Sequence, residues 1–331
     1  MSNFSEASSA LQSDQPQAYG MIVNAEYDQQ RLDNFLVREL KGVPKSKIYR
    51  MIRKGEVRIN KKRAKPDSRL QTGDYLRIPP VRQAPSQAHD DWIAPATTRA
   101  IEACVLFEDE RLIILNKLAG WAVHGGSGVS LGVIEALRKG RPHQTLELVH
   151  RLDRGTSGCL MVTKKRSALK QLHEALQNGL IKKTYLALVV GAWSKRKTRV
   201  DQPLLKRSLP HGGRIVSVDA EGKQARTEFK LLMGHAQASL IRAMPITGRT
   251  HQIRVHCQFT GHPIIGDESY GIAVADRAFK AWGITGLCLH AHQLELPWND
   301  KTMTIVAPLP DQFQQAIARL QQEGAVIHEQ L

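Results

Sequence analysis

The run His150-Arg151-Leu152-Asp153-Arg154-Gly155-Thr156-Ser157-Gly158 holds one carboxylate between two guanidinium groups. An acid beside fixed positive charge stays ionised, which suits a nucleophile, a base or a stabiliser of a developing cation. An ordinary surface turn with a local ion pair has the same pattern, and charge and spacing alone leave both readings open. Residues 146–149 are mostly apolar, Gly, Thr and Ser follow the acid, and 159–162 are apolar again. That order predicts strand, tight turn, strand, with Asp153 displayed at the turn.

Other residues could do chemistry, each with a plainer reading beside it. Tyr185 opens an apolar stretch at 185–190 that predicts a strand, where a core tyrosine is the ordinary occupant. Arg254 stands between Ile253 and Val255, and the alternation predicts a half-buried strand with one polar residue. His251, His256, His290 and His292 raise the question of a metal. His290 and His292 are two apart and would share a strand face, but no carboxylate or cysteine nearby completes a ligand set. We therefore expect structural histidines and no metal site. Cys104, Cys159, Cys257 and Cys288 are far apart and form no CxxC pair, so they are expected to be core thiols. Gly125-Gly126-Ser127-Gly128 has neither a dinucleotide nor a Walker signature and is expected to be a backbone turn.

The elements that must hold these groups can be sketched from periodicity. Residues 112–115 predict a buried strand; Val133, Ile134 and Leu137 mark one helix, and Leu169, Leu172 and Leu176 another, with Ser167 able to cap it. Strands and helices mix without a regular βαβ alternation, which predicts an α+β domain over residues 101–322. Upstream, residues 21–82 predict a small α+β unit. Leu32, Phe35, Leu36 and Leu40 give its first helix face; Ile48, Met51 and Ile52 give a second, with Ser46 as cap and Gly55 as stop. Turns at Asn60-Lys61 and Gly73-Asp74 separate short strands. Residues 83–100, which include Trp92, are expected to be a linker, and residues 1–18 a disordered segment.

Charge narrows the partner. The 331 residues carry 47 Lys+Arg against 31 Asp+Glu, a net +16. Such an excess selects a polyanion: nucleic acid or an anionic membrane surface. No apolar run approaches the roughly 18–20 residues of a membrane span, and Glu6 and Asp14 interrupt any signal-peptide pattern. The expected location is therefore cytoplasmic. Between Arg31 and Arg82 lie 16 Lys+Arg and 5 Asp+Glu. Lys45, Lys47, Arg50, Arg53, Lys54 and Arg58 concentrate this charge, and several fall on one helix face, where phosphates are the expected ligands.

Taken together, the segments resemble the RluA-type pseudouridine synthases. His150 to Gly158 matches that family's signature loop. Lys183-Thr184-Tyr185-Leu186-Ala187-Leu188-Val189 and Gly248-Arg249-Thr250-His251-Gln252-Ile253-Arg254-Val255-His256 match two further motifs. Arg31-Leu32-Asp33 and the basic helix after it resemble an S-four-type RNA-binding domain. His124 to Ser130, Leu204-Leu205-Lys206 and Arg214-Ile215-Val216 resemble the RluC branch. One departure is Leu118 after Asn116-Lys117, where the family has proline, which puts the rigidity of that turn in doubt.

The resemblance implies a mixed, mainly antiparallel sheet with flanking helices. It implies isomerisation of uridines, three of them, in 23S large-subunit ribosomal RNA. Asp153 would be the catalytic carboxylate and Arg254 its charge partner. Tyr185 would stack on the uracil, Arg151 would fill the space left by the flipped base, and Leu289 would pack against it. The uracil leaves ribose through nitrogen 1 and rejoins through carbon 5, with no redox change and no group lost, so no cofactor is implied. The alternatives are the same chemistry on another ribosomal loop or on transfer RNA, and a ribosome-assembly factor that binds RNA without turnover.

Overall fold

A computed structural model describes residues 17–40, 42–81, 94–125, 131–208 and 214–329. Residues 1–16, Trp92 with most of the expected linker, and 126–130 of the glycine-rich stretch lie outside the described residues. The chain divides into two compact units, one up to Trp92 and one from Ile93.

The small unit has strand β1 (Tyr19–Ile22), helices α1 (Leu32–Glu39) and α2 (Lys45–Lys54), and strands β2 (Arg58–Ile59), β3 (Lys62–Arg63) and β4 (Tyr75–Ile78). Its sheet runs β1-β4-β2-β3. Leu32, Phe35 and Leu36 of α1 and Ile48, Met51 and Ile52 of α2 share one core with Leu76 and Ile78. Gly55 ends α2 in the left-handed region at φ 72°, and its amide bonds back to Ile52 O. Asn60 and Lys61, at φ 48° and 66°, make the tight turn between β2 and β3. Asp33 is buried and ties the two helices together: Arg31 Nη2 and Tyr49 Oη donate to its Oδ2 at 2.7 and 2.9 Å. The hydrogen bond from Arg31 holds this carboxyl below the usual aspartate range. Ser46 does not cap α2. The helix starts at Lys45 after Pro44, which leaves Ser46 inside the first turn.

The larger unit begins with α3 (Pro95–Glu102), so the end of the expected linker is helical and buries Ile101. Then come β5 (Val105–Glu108), β6 (Leu112–Lys117), α4 (Val133–Gly140), β7 (Glu147–Leu148), β8 (Ser157–Thr163), α5 (Arg166–Gln177), β9 (Lys182–Val190) and β10 (Arg199–Asp201). Next are β11 (Leu204–Ser208), β12 (Arg214–Val218), β13 (Arg226–Gly234), β14 (Ala238–Pro245), α6 (Gln252–Phe259) and α7 (Ala273–Lys280). The chain closes with β15 (Leu289–Trp298), β16 (Lys301–Val306), α8 (Asp311–Gln322) and β17 (Val326–Ile327). The main sheet runs β10-β13-β14-β9-β15-β8-β6-β5. Only the β15–β8 pairing is parallel among the described strand pairs of this sheet, so the fold is α+β with a mainly antiparallel sheet. β17 adds to β13, which carries the unit past residue 322. α5 begins at Arg166, so Ser167 sits within its first turn and makes no cap hydrogen bond.

One expected strand is a helix. Ile253-Arg254-Val255 lies in α6, where Gln252 through Cys257 are all buried. A helix buried all round has no polar stripe, so its 3.6-residue period does not show in the sequence.

Candidate active site

Asp153 is carried where the sequence set it, on the loop between β7 and β8, which pair antiparallel. Gly158, the second residue of β8, has φ 104°, and a Cβ there would lie 2.2 Å from Ala291 O. Glycine thus allows β15 to lie directly against β8, with His290 opposite Ser157. On the other side of β15, Ala291 faces Tyr185 of β9. The carboxylate loop and the tyrosine strand are therefore two strand spacings apart, about 10 Å. Between them opens a cleft of about 440 Å³, lined by Asp153, Tyr185, Lys183, His251, Arg254 and Leu289 among others.

Arg254 reaches the cleft from α6. Its Nη1 donates to Asp153 Oδ2 at 3.3 Å. Its other edge is gripped by Asp267: Nε to Oδ2 and Nη2 to Oδ1, both 2.7 Å. Asp267 is fully buried and also accepts the backbone amides of Ser269 and Tyr270. The ring of Tyr270 covers the guanidinium at 4.9 Å. Arg254 is thereby fixed in one orientation, with one N–H of its Nη1 directed at Asp153.

His251 caps α6 in the left-handed region at φ 54°. Its Nε2 lies 3.8 Å from Asp153 Oδ1, and its Nδ1 lies 2.8 Å from Tyr270 Oη. Tyr270 Oη accepts the amide of Val216 at 3.0 Å, so the hydroxyl proton is free to donate to Nδ1. Nε2 then carries the ring proton towards Asp153. Burial holds the imidazole below its usual range and so keeps this neutral form, against the pull of Asp153.

Tyr185 is half-buried. Desolvation, reinforced by the charge of Asp153, raises its phenol well above the ordinary tyrosine range, so the ring enters the cleft protonated. Arg151 is exposed at the cleft wall. Leu289 is buried and also lines the cleft. Lys45, Arg50, Arg53, Lys54 and Arg58 are exposed on the small unit and Lys47 is half-buried. His256 bonds Thr227 and Gln202, while His290 and His292 both bond Ala307 O. Cys159, Cys257 and Cys288 are buried, and Cys104 is half-buried.

The sequence reading missed Lys117 and Asp267. Lys117 is 1% exposed, and its Nζ donates to Leu118 O, Trp121 O and Arg154 O at 2.8, 2.8 and 3.2 Å. It stitches the turn after β6 to the Asp153 loop, and Gly120 N and Arg154 Nε add two more bonds across the same seam. The turn that lacks the family's proline is thus closed by an ammonium. Burial pushes that ammonium down to about 7, opposed by the charge of Asp153. The one sequence signal was an Asn-Lys pair closing an apolar run. Asp267 had no signal at all, since an acid after Gly266 resembles any turn acid.

A carboxylate held by a fixed guanidinium thus shares the cleft with an aromatic ring. Comparison with known proteins gives the family. The chain belongs to the RNA pseudouridylate synthase family: that family's model matches residues 111–259, and an S4 domain model matches residues 30–75. It is 47% identical over 319 residues to the ribosomal large subunit pseudouridine synthase C of Yersinia pestis, covering 96% of this chain and 100% of that protein. The protein of the same name from Escherichia coli strain K12 is 48% identical over 317 residues, covering 94% and 99%. Among solved structures, human RNA pseudouridylate synthase domain containing 4 is 26% identical, with a TM-score of 0.57 over 68% of this chain and 96% of that one.

Proposed function

We propose that the protein converts uridines of large-subunit ribosomal RNA, three by the family resemblance, to pseudouridine, with Asp153 as the catalytic carboxylate. The observation that carries this is the single N–H contact from Arg254 to Asp153 beside the ring of Tyr185. The relatives' names and the basic helix α2 support the RNA class.

A uridine inside a helix is unreachable, so the base must leave the stack at a cost of a few kcal/mol. Arg151, exposed on the same loop, would enter the gap, and phosphate contacts offset the remainder. In the cleft the uracil would stack on Tyr185 and rest against Leu289. Asp153, oriented by Arg254, would act on the sugar or the base, or steady a cationic sugar. The base turns while held, the bond from ribose to nitrogen 1 is replaced by one to carbon 5, the carbon 5 proton departs to solvent, and nitrogen 1 takes up a proton in its place, so the product is an isomer. Lys45, Lys47, Arg50, Arg53, Lys54 and Arg58 would hold phosphates away from the reacting atoms.

The test is tritium release from carbon 5 of labelled uridine in protein-free large-subunit RNA. Asp153→Asn should abolish release while RNA affinity is kept; full activity in that variant would sink the assignment. Pseudouridine mapping with and without the gene fixes the target. Sites lost from transfer RNA alone would redirect the proposal to the other substrate.

A further inference from the structure

Lys183 is a cation that the chemistry above does not use. It stands on β9 two residues before Tyr185, so the two side chains share one face of the strand and line the same cleft. It is half-buried. Among the described residues no carboxylate pairs with it and no acceptor holds its ammonium. Its neighbour on the strand, Lys182, does have a carboxylate partner, Glu295. Among the described residues the only carboxylate lining the cleft is Asp153, already engaged by Arg254. Desolvation alone pulls the Lys183 ammonium below its usual range.

A charge removed from water without a counter-ion is unfavourable and persists where a ligand completes it. The space for such a ligand is open. Gly248 lies beside the ammonium, and a Cβ built there would be 3.9 Å from Nζ. The lysine tip therefore reaches the 247–250 loop of the cleft lining, where Gly248 carries no side chain. The rest of the lining brings further positive charge, from Arg151 and Arg249. A neutral uracil carbonyl would leave the ammonium uncompensated, whereas a phosphodiester would not.

We propose that Lys183 binds one of the two phosphodiesters flanking the flipped-out uridine, and so anchors the sugar while the base turns above Tyr185. This rests on the substrate reading just given. Anchoring matters because the detached base must find the same ribose again. A fixed phosphate holds carbon 1 of the sugar in register with the ring.

The test pairs protein and RNA changes. A large-subunit RNA fragment is made unmodified, or with one neutral methylphosphonate on either side of the target uridine. Single-turnover pseudouridine formation is measured with the full-length wild type, Lys183→Met and Lys183→Arg. One methylphosphonate should slow the wild type about 10- to 100-fold, the range of one charge-assisted hydrogen bond. Lys183→Met should lose as much on unmodified RNA and lose no more on that methylphosphonate. Lys183→Arg should retain most of the rate. Losses that multiply, or a wild type indifferent to both methylphosphonates, overturn the inference. The wild-type arm stands even if Lys183→Met fails to fold. A wild type inert on the unmodified fragment overturns the substrate reading itself, and this inference with it.

Discussion

Arg254 is shared unequally between two acids. Asp267 takes two of its N–H groups at 2.7 Å, and Asp153 takes one at 3.3 Å. The buried pair sets the angle of the guanidinium, and the looser contact leaves Asp153 oxygen lone pairs free for substrate. Asp267→Asn keeps the volume but turns one acceptor into an NH2 group facing an NH2 group. The guanidinium then swings, and a misplacement of about 1 Å costs about 100-fold in rate. Single-turnover rates should fall by that order while RNA affinity is unchanged. A rate equal to wild type would show that Arg254 is oriented without Asp267. At this scale the sequence was legible where chemistry travels with local pattern. Asp153 stood out among its arginines, whereas Tyr185 in its strand looked like a core tyrosine and stood out only through the family motif. Asp267 and Lys117 did not stand out, because their significance comes from burial and from partners distant in sequence.

Among the elements, α2 and α6 contrast. α2 wears its character on one face: Ile48, Met51 and Ile52 inward, Arg50, Arg53 and Lys54 outward. That amphipathic pattern survives in the sequence, and so the helix and its stop at Gly55 were both readable. Its charge predicts a salt-dependent interaction, because each phosphate neutralised releases counter-ions. Arg50→Gln with Lys54→Gln should reduce the slope of log affinity against log salt by about one to two. An unchanged slope in a filter-binding titration would remove this face from the RNA interface. α6 is buried from Gln252 through Cys257, and the alternating apolar and polar residues of that stretch mimic a strand. Its helical form follows from the sheet strand β14 ending just before it and the left-handed cap at His251. No local propensity states that.

Across the whole molecule, the sheet encloses imidazoles that must stay neutral. His150 Nε2 accepts the Met161 amide at 3.2 Å, and His290 Nδ1 lies 2.9 Å from Ser157 Oγ. Burial holds each at about 4 against an ordinary 6.5. Between those values the unfolded chain binds protons that the folded one refuses, so stability present above about 6.5 is lost as pH falls towards 4. Each group contributes at most about 3 kcal/mol to that loss. Urea unfolding at pH 7 and pH 4.5 should show the drop, and His290→Gln should make it shallower. Parallel losses in wild type and variant would mean that His290 is not among the groups responsible.

What the sequence determined by itself is local: the strand–turn–strand around Asp153, the helices of the basic unit, and the excess of positive charge that calls for a polyanion. Period, turn chemistry and charge are properties of neighbours along the chain, and they can be read there. Only the tertiary structure decided that Arg254, 101 residues beyond Asp153, comes to it from a helix and not from a strand. Only the fold buries Lys117 beneath the loop and leaves Lys183 in the cleft without a carboxylate partner among the described residues. Desolvation and ion pairing depend on which elements pack together, and packing joins residues that no sequence window contains.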